Sequence, residues 1–187
     1  MFRHSKCESN SGTVFAVPFY IWGIKTLAIK LYEVSHKYIN YLQPYAPHLF
    51  HNKKPGQQNE RKYIGIVLVV NGMKYFAPLS SYKLKHDNMK NSLDFIKIGN
   101  YAVVNINNMF PVPESEYTYV EIAKIKNEQY KKLLMAEYRI LKKLQEKIRK
   151  NAAELYKHKL EKGNRTTLAK RCNDFLLLEK MCKKYKK

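Results

Sequence analysis

A nearly uninterrupted apolar run near the middle of the chain predicts a β-hairpin. Residues 63–70 read YIGIVLVV, which is typical of a buried strand. Asn71 and Gly72 follow, and both tolerate the positive φ that a tight two-residue turn requires. Residues 73–79 then supply the return strand. A second antiparallel pair is predicted over residues 93–98 and 101–106, where Gly99 and Asn100 form the turn.

The last third of the chain carries the periodicity of a long helix. Apolar residues recur every seven positions, at Leu134, Leu141, Ile148 and Leu155. Gly163 stands where a residue just past a helix C-terminus belongs. A coiled coil would share this spacing, but one helix lying across a small sheet is the preferred interpretation. A last helix is predicted over residues 167–183.

The preceding segments complete an α+β pattern. Residues 31–34 predict a short strand, and Ser35 is a good N-cap for a helix over residues 36–42 that Pro44 stops. Residues 80–91 are too polar for a strand and predict a loop or short helix. The fold expected is a twisted antiparallel sheet with helices mainly on one side and long helices at the C-terminus.

Residues 1–30 differ from the rest and are interpreted as an accessory or non-native leader. The apolar stretch at residues 13–24 is interrupted by Pro18 and is too short to span a bilayer as a helix. Residues 31–187 then form a single domain. The alternative is that the apolar stretch anchors the protein to a membrane.

The net charge of the chain indicates what kind of partner it binds. Lys and Arg total 35 against 15 Asp and Glu, a formal net charge of +20, far above the magnitude of roughly 2–8 that suits a small domain. A polyanion would offset the self-repulsion, so nucleic acid is the first candidate and anionic membrane the second. A merely basic surface is the plainer alternative. The three cysteines form no CxxC pair, which fits a reducing cytoplasm.

The residues best suited to take part in catalysis come directly after the hairpin. The polar side chains there are Ser80, Ser81, Lys83, Lys85 and His86. RNA can be cleaved without metal by attack of its own 2′-hydroxyl, if cations stabilise the phosphorus centre and hydroxyls position its oxygens. The sparse carboxylates disfavour two-metal nuclease chemistry. The alternative is that the serines only stabilise a turn or cap a helix, and that the lysines and the histidine are ordinary surface residues.

Taken together, KYFAPLSSYKLKH at residues 74–86 resembles the ToxN/AbiQ family of type III toxin–antitoxin and abortive-infection endoribonucleases. LYEVSHKYINYL, NINNMFPVP, YKKLL and CNDFLLLEKMCKKY follow in the family's order, so the resemblance runs from about Leu31 to the C-terminus. It implies a compact, strongly twisted antiparallel sheet like that of the MazF/Kid toxins. It also implies cleavage that needs no metal or other cofactor and leaves a cyclic phosphate.

The resemblance also assigns roles to residues. The catalytic serine of the family, second in the pair after "APL", is Ser81, and Ser80 precedes it. The family's lysine two positions further on is Lys83, and a nearby histidine is His86. The basic residue in the loop before the "IGIV" strand is Arg61, while the tyrosine that some relatives carry upstream has no counterpart.

An RNA antitoxin of short pseudoknot repeats, which the toxin also processes, is implied as the partner, beside cellular or phage RNA as substrate. An assembly of several toxin and RNA copies is one expected form. Basic side chains expected to contact RNA phosphates are Lys53, Lys54, Lys62, Lys85, Lys90, Arg139 and Lys143. Two other classes compete: a non-catalytic nucleic-acid-binding protein, and a membrane-active basic protein that uses residues 13–24.

Overall fold

The computed structural model describes residues 28–52 and 59–185, which form a seven-stranded antiparallel sheet flanked by helices. The strands are β1 (Lys30–Val34), β2 (Tyr63–Val70), β3 (Met73–Ser81), β4 (Phe95–Ile98), β5 (Ala102–Asn105), β6 (Phe110–Pro111) and β7 (Tyr117–Tyr119). Their order across the sheet is β4-β5-β3-β2-β1-β7, and β6 also pairs with β3. This confirms the α+β class and both predicted strand pairs.

The central hairpin joins β2 to β3 as predicted. Asn71 and Gly72 form its turn with φ of 50° and 77°, and Val70 pairs with Met73. The prediction of a loop over residues 80–91 is wrong at its start, because β3 continues through Ser80 and Ser81. Those two residues pair with Val103 and Ala102 of β5. Their backbone groups therefore form hydrogen bonds with a neighbouring strand, whereas the polar sequence predicts that they face solvent.

The first helix and the long helix follow their local signals. In α1 (His36–Leu42), the Ser35 hydroxyl accepts a hydrogen bond from Tyr38 N at 3.1 Å. The long helix α2 (Glu128–Lys162) is capped by Asn127 and ends at Gly163, whose φ is 54°. All four apolar residues of the seven-residue repeat are buried in α2, which confirms the predicted core-facing stripe.

The prediction of one last helix over residues 167–183 is wrong. Two helices occupy the region, α3 (Thr167–Lys170) and α4 (Phe175–Lys184). Between them Asn173 N donates to Asn107 O at 3.0 Å. The Asp174 side chain then accepts from Leu177 N at 3.0 Å and starts a new helix. A tertiary contact and a second N-cap therefore interrupt the pattern.

Helices cover both faces of the sheet, so the expectation of helices mainly on one side is wrong. Tyr75 and Ala77 of β3 pack in the cluster that contains the buried stripe of α2. Phe76, between them, belongs to the cluster formed with α1 and most of α4. Because successive side chains of a strand point to opposite faces, the apolar runs of β2 and β3 bury both faces.

The described part of the chain begins within the segment interpreted as a leader. Ile29 is fully buried in the core, and Lys30 is the first residue of β1. The predicted boundary between residues 30 and 31 therefore falls inside a strand, whereas residues 1–27, with the apolar stretch at 13–24, lie outside the described residues. None of the helices in the described ranges combines the length and the apolar composition that a membrane-spanning helix needs.

Candidate functional site

A cavity of about 500 Å³ lies where the end of β3 meets β5, the loop before β2 and the N-terminal half of α2. Its strand-and-loop wall carries Arg61, Ser80, Ser81, Lys83, Lys85 and His86. All five residues predicted to be catalytic thus line one cavity, although they come from separate segments. Its opposite wall, on α2, carries Tyr130, Leu133, Leu134 and Glu137.

Arg61 is held in the cavity wall by several contacts. Its Nε donates to His51 O at 3.1 Å, and its Nη1 donates to Leu79 O at 3.1 Å and to Ser80 Oγ at 3.0 Å. The guanidinium also lies over the Phe50 ring, 4.7 Å from its centre. Burial lowers the pKa of Arg61 from its ordinary value. The loop therefore presents a fixed cation at the end of β3.

The two serines have different surroundings. Ser80 Oγ accepts from Arg61 and, at 3.2 Å, from Asn105 Nδ2, so its hydroxyl is part of a structural network. Ser81 is exposed, and by strand alternation it shares the face of Leu79, which packs in the cluster with α2. Among the described residues, none forms a hydrogen bond with the Ser81 side chain, so this hydroxyl is available to a substrate.

A short 3-10 turn (Leu84–His86) places Lys83 and Lys85 at the mouth of the cavity, where both are exposed. Lys83 N donates to His86 Nδ1 at 3.0 Å, which leaves the ring proton on Nε2. Burial of His86 and the nearby cations of Lys85 and Lys83 lower its pKa. His86 is thus a neutral ring that locks the turn carrying the lysines.

Lys62 differs from the solvent-exposed RNA contact that the sequence predicts. It is 8% exposed and forms an ion pair with Glu33. Its ammonium also lies 5.7 Å from the centre of the Tyr130 ring. Lys62 therefore belongs to the cavity wall and has its charge partly offset.

Glu137 is a cavity residue that sequence reasoning missed. It is 4% exposed, and its Oε2 atom is buried and has no hydrogen-bond partner within residues 28–52 and 59–185. Burial raises the pKa of Glu137 to about 7. The sequence carries a weak indication of this position. Glu137 lies three residues after Leu134, a spacing that places it on the buried side of α2.

Most of the other predicted RNA contacts are exposed. Lys90 follows the 3-10 turn, and Arg139 and Lys143 lie on the solvent side of α2. Lys53 and Lys54 fall outside the described residues. In the ranges 28–52 and 59–185, no group of three or more His, Cys, Asp or Glu side chains could hold a metal ion.

Comparison with known proteins gives consistent matches. The family described as toxin ToxN of type III toxin–antitoxin systems matches residues 30–183. Endoribonuclease ToxN of Pectobacterium atrosepticum is 32% identical over 160 residues, which make up 81% of this chain and 91% of that protein.

Two solved structures share the fold over nearly their whole length. One concerns selective toxin inhibition by a non-coding RNA pseudoknot in type III systems, with a TM-score of 0.74 and 29% identity over 85% of this chain and 98% of that chain. The other is AbiQ, a lactococcal anti-phage endoribonuclease of the type III class. It has a TM-score of 0.71 and 26% identity, again over 85% of this chain and 98% of the other.

Proposed function

This chain belongs to the ToxN family of type III toxin–antitoxin systems, and on that premise we propose that it is an endoribonuclease toxin whose active site is the cavity at the end of β3. One observation carries the assignment to this cavity: a free hydroxyl, at Ser81, shares it with the fixed guanidinium of Arg61 and the exposed ammonium of Lys83. A phosphodiester is the substrate group that such an array of cations and hydroxyls suits.

The proposed reaction is internal transesterification of RNA. The 2′-oxygen loses its proton and bonds to the adjacent phosphorus, while the bond to the 5′-oxygen breaks and that oxygen takes up a proton. The products are a 2′,3′-cyclic phosphate and a free 5′-hydroxyl. Arg61 and Lys83 stabilise the charge on the phosphoryl oxygens, and the Ser81 hydroxyl positions one of them.

His86 has a supporting role in this proposal. Its Nδ1 is engaged by Lys83 N, so only the Nε2–H is left to donate. The ring holds the turn on which Lys83 and Lys85 approach the phosphate, and Ser80 likewise holds Arg61 in place. Because the attacking group comes from the RNA, no metal is required.

The partner that fits the family is an RNA antitoxin of short pseudoknot repeats, which the toxin also processes. A solved relative is inhibited by a non-coding RNA pseudoknot, and a net charge of +20 suits a folded RNA that covers much of the surface. Exposed candidates for its phosphates are Lys85, Lys90, Arg139 and Lys143, joined by Lys53 and Lys54. Several toxin and RNA copies would form the inhibited assembly.

Two finer features complete the proposal. The sheet would have the strong twist of MazF/Kid toxins, which closes the end of β3 against α2. The site of action would be the cytoplasm, where the toxin meets cellular or phage RNA and contributes to abortive infection. The relation to the anti-phage endoribonuclease AbiQ supports this role.

Substitution of the free hydroxyl tests the site. Ser81→Ala should lower RNA cleavage by about 100-fold or more and abolish toxicity, while antitoxin RNA binding is retained. Ser115→Ala, which changes an exposed serine outside the cavity, should cleave like the unmodified protein. Full cleavage by Ser81→Ala would contradict the assignment of this serine.

Chelation separates the proposed mechanism from metal-dependent nucleases. Cleavage of a labelled RNA should persist in EDTA, and the 5′ fragment should end in a cyclic phosphate, detected by mass spectrometry. Complete loss of cleavage in EDTA would overturn the mechanism. Salt-sensitive RNA binding without any strand scission would instead indicate a non-catalytic nucleic-acid-binding protein.

A further inference from the structure

The two walls of the cavity differ in chemical character. The strand-and-loop wall contributes the cations of Arg61 and Lys83 beside the Ser81 hydroxyl, and its one carboxyl, that of Glu60, is hydrogen-bonded to His36. The α2 wall contributes the apolar side chains of Leu133 and Leu134, the ring of Tyr130 and one carboxyl, that of Glu137. A phosphate is attracted to the first wall, whereas a carboxyl repels it from the second.

The carboxyl is buried in its wall with one oxygen unsatisfied. Glu137 is 4% exposed, and its buried Oε2 accepts no hydrogen bond from any residue that the structure describes. Lys62, a cation that lines the same cavity, has its ammonium paired to Glu33. Burial of an unsatisfied acceptor costs free energy, so an N–H donor brought by a ligand would be bound favourably at this position.

The remaining surface of this wall suits a flat, largely apolar group. Leu133 is 36% exposed, and Tyr130 presents an aromatic ring beside it. Nucleobases bind proteins by laying a face against apolar or aromatic side chains while their edges make hydrogen bonds. Because Arg61, Lys83 and these α2 residues line the same cavity of about 500 Å³, a phosphate at the two cations would place its nucleotide in the space that α2 also lines.

We propose that Glu137 is a specificity-determining residue whose carboxyl accepts a hydrogen bond from the exocyclic amino group of a nucleobase next to the bound phosphate. The amino-bearing bases are adenine, cytosine and guanine, and uracil lacks the group. This inference rests on the proposed cleavage of RNA in the same cavity. Either protonation state of the carboxyl retains an acceptor oxygen, so the contact does not require a particular charge.

Binding of matched trinucleotides tests the contact without any cleavage. The probes are fluorescent 2′-fluoro trinucleotides with uracil at both ends and a variable middle base, which have no 2′-hydroxyl to react. The middle base is adenine or purine in the first pair, cytosine or 2-pyrimidinone in the second, and guanine or hypoxanthine in the third. Each pair differs only by the amino group, and fluorescence anisotropy measures each Kd.

In the unmodified protein, at least one amino-bearing probe should bind about tenfold tighter than its partner. Glu137→Gln should keep this ratio, because the amide oxygen is also an acceptor. Glu137→Leu, which retains apolar volume, should bind both members of the pair equally. Glu154→Gln changes an exposed carboxyl elsewhere on α2 and should behave like the unmodified protein. Thermal unfolding establishes that each variant is folded.

Two results would overturn the proposal. One is equal binding within all three pairs by the unmodified protein, and the other is a ratio that survives in Glu137→Leu. Cleavage of natural RNA adds a kinetic test, since Glu137→Leu should raise KM for amino-bearing substrates about tenfold and leave kcat within about threefold. A fall in kcat alone would identify a catalytic acid and refute base recognition. Absence of cleavage by the unmodified protein would refute the proposed function, while the binding ratios would still decide the role of Glu137.

Discussion

Glu137 shows how a single buried carboxyl makes stability depend on pH. Burial raises its pKa to about 7 from an ordinary 4.5, so between these values the folded protein binds more protons than the unfolded chain. The free energy of unfolding therefore falls as pH rises through this window. Relative to Glu137→Gln, which does not titrate, the unmodified protein should lose on the order of 2 kcal/mol between pH 4.5 and 7.5. Urea unfolding of both proteins at the two pH values measures this difference.

The control for that prediction is Glu154→Gln, which removes an exposed carboxyl of the same helix. Its stability should follow that of the unmodified protein at both pH values. A difference between the unmodified protein and Glu137→Gln that does not change with pH would contradict the raised pKa. It would mean that hydrogen bonding, rather than charge, distinguishes the two side chains.

Single residues of the site were predictable to different degrees. Ser81 and Lys83 lie in one continuous motif, and Arg61 follows from the family pattern, so the sequence was enough to propose them as candidates that the structure then places around one cavity. The contacts of Arg61 with Leu79 O and Ser80 Oγ join positions 18 and 19 residues apart. The structure also shows that the hydroxyl of Ser80 is engaged, whereas that of Ser81 has no hydrogen-bond partner in the part of the chain that the structure describes. The pairing of Lys62 with Glu33 likewise depends on two strands meeting.

At the scale of elements, one carboxylate joins a strand and two helices. Glu179 of α4 is 5% exposed, and its Oε1 accepts hydrogen bonds from Tyr75 of β3 and Tyr156 of α2, each at 2.7 Å. Tyr156→Phe removes one donor from a buried acceptor and should lower the free energy of unfolding by about 1–2 kcal/mol. Tyr75→Phe should act similarly. Urea unfolding at constant pH measures both effects.

The two tyrosine hydroxyls are also expected to stabilise the fold cooperatively. The double variant Tyr75→Phe/Tyr156→Phe leaves the carboxylate without either hydroxyl donor, so its loss should exceed the sum of the single losses. Tyr101→Phe, at an exposed tyrosine, should leave stability unchanged. Additive losses in the double variant would show that each hydroxyl acts independently of the other.

Elements were predicted well where a local rule decides them. The hairpin turn requires positive φ, which Asn71 and Gly72 adopt readily. Ser35 caps the start of α1 and Gly163 follows the end of α2, so residues adjacent to each helix determine where it begins or ends. Two elements were predicted wrongly where a distant partner decides. Residues 80 and 81 become strand because β5 lies beside them. The last helix breaks because Asn173 bonds to a carbonyl 66 residues earlier in the chain.

At the scale of the whole molecule, the net charge of +20 governs RNA affinity. Neutralising 6–10 phosphates releases enough counterions to reduce affinity by roughly 10³–10⁵ between 50 and 200 mM salt. Antitoxin RNA binding should therefore weaken by about 10³ across this range, measured from binding isotherms. The double substitution Lys53→Glu/Lys54→Glu should weaken binding further and reduce the salt slope, with a smaller effect on thermal unfolding. Equal losses of binding and stability would argue against RNA contact by these lysines.

The sequence by itself determined the α+β class, the central hairpin, the buried stripe of the long helix and the basic character of the surface. Each of these depends on neighbours in the chain or on composition, and the order of motifs was enough to identify the family. Only the tertiary structure decided that Ser81 lies in a strand facing α2, that helices cover both faces and that Glu137 is a buried wall of the same cavity. The physical reason is that burial and unmet hydrogen bonds depend on what packs opposite a residue. For Glu137 the opposite wall comes from segments more than 30 residues away in the sequence.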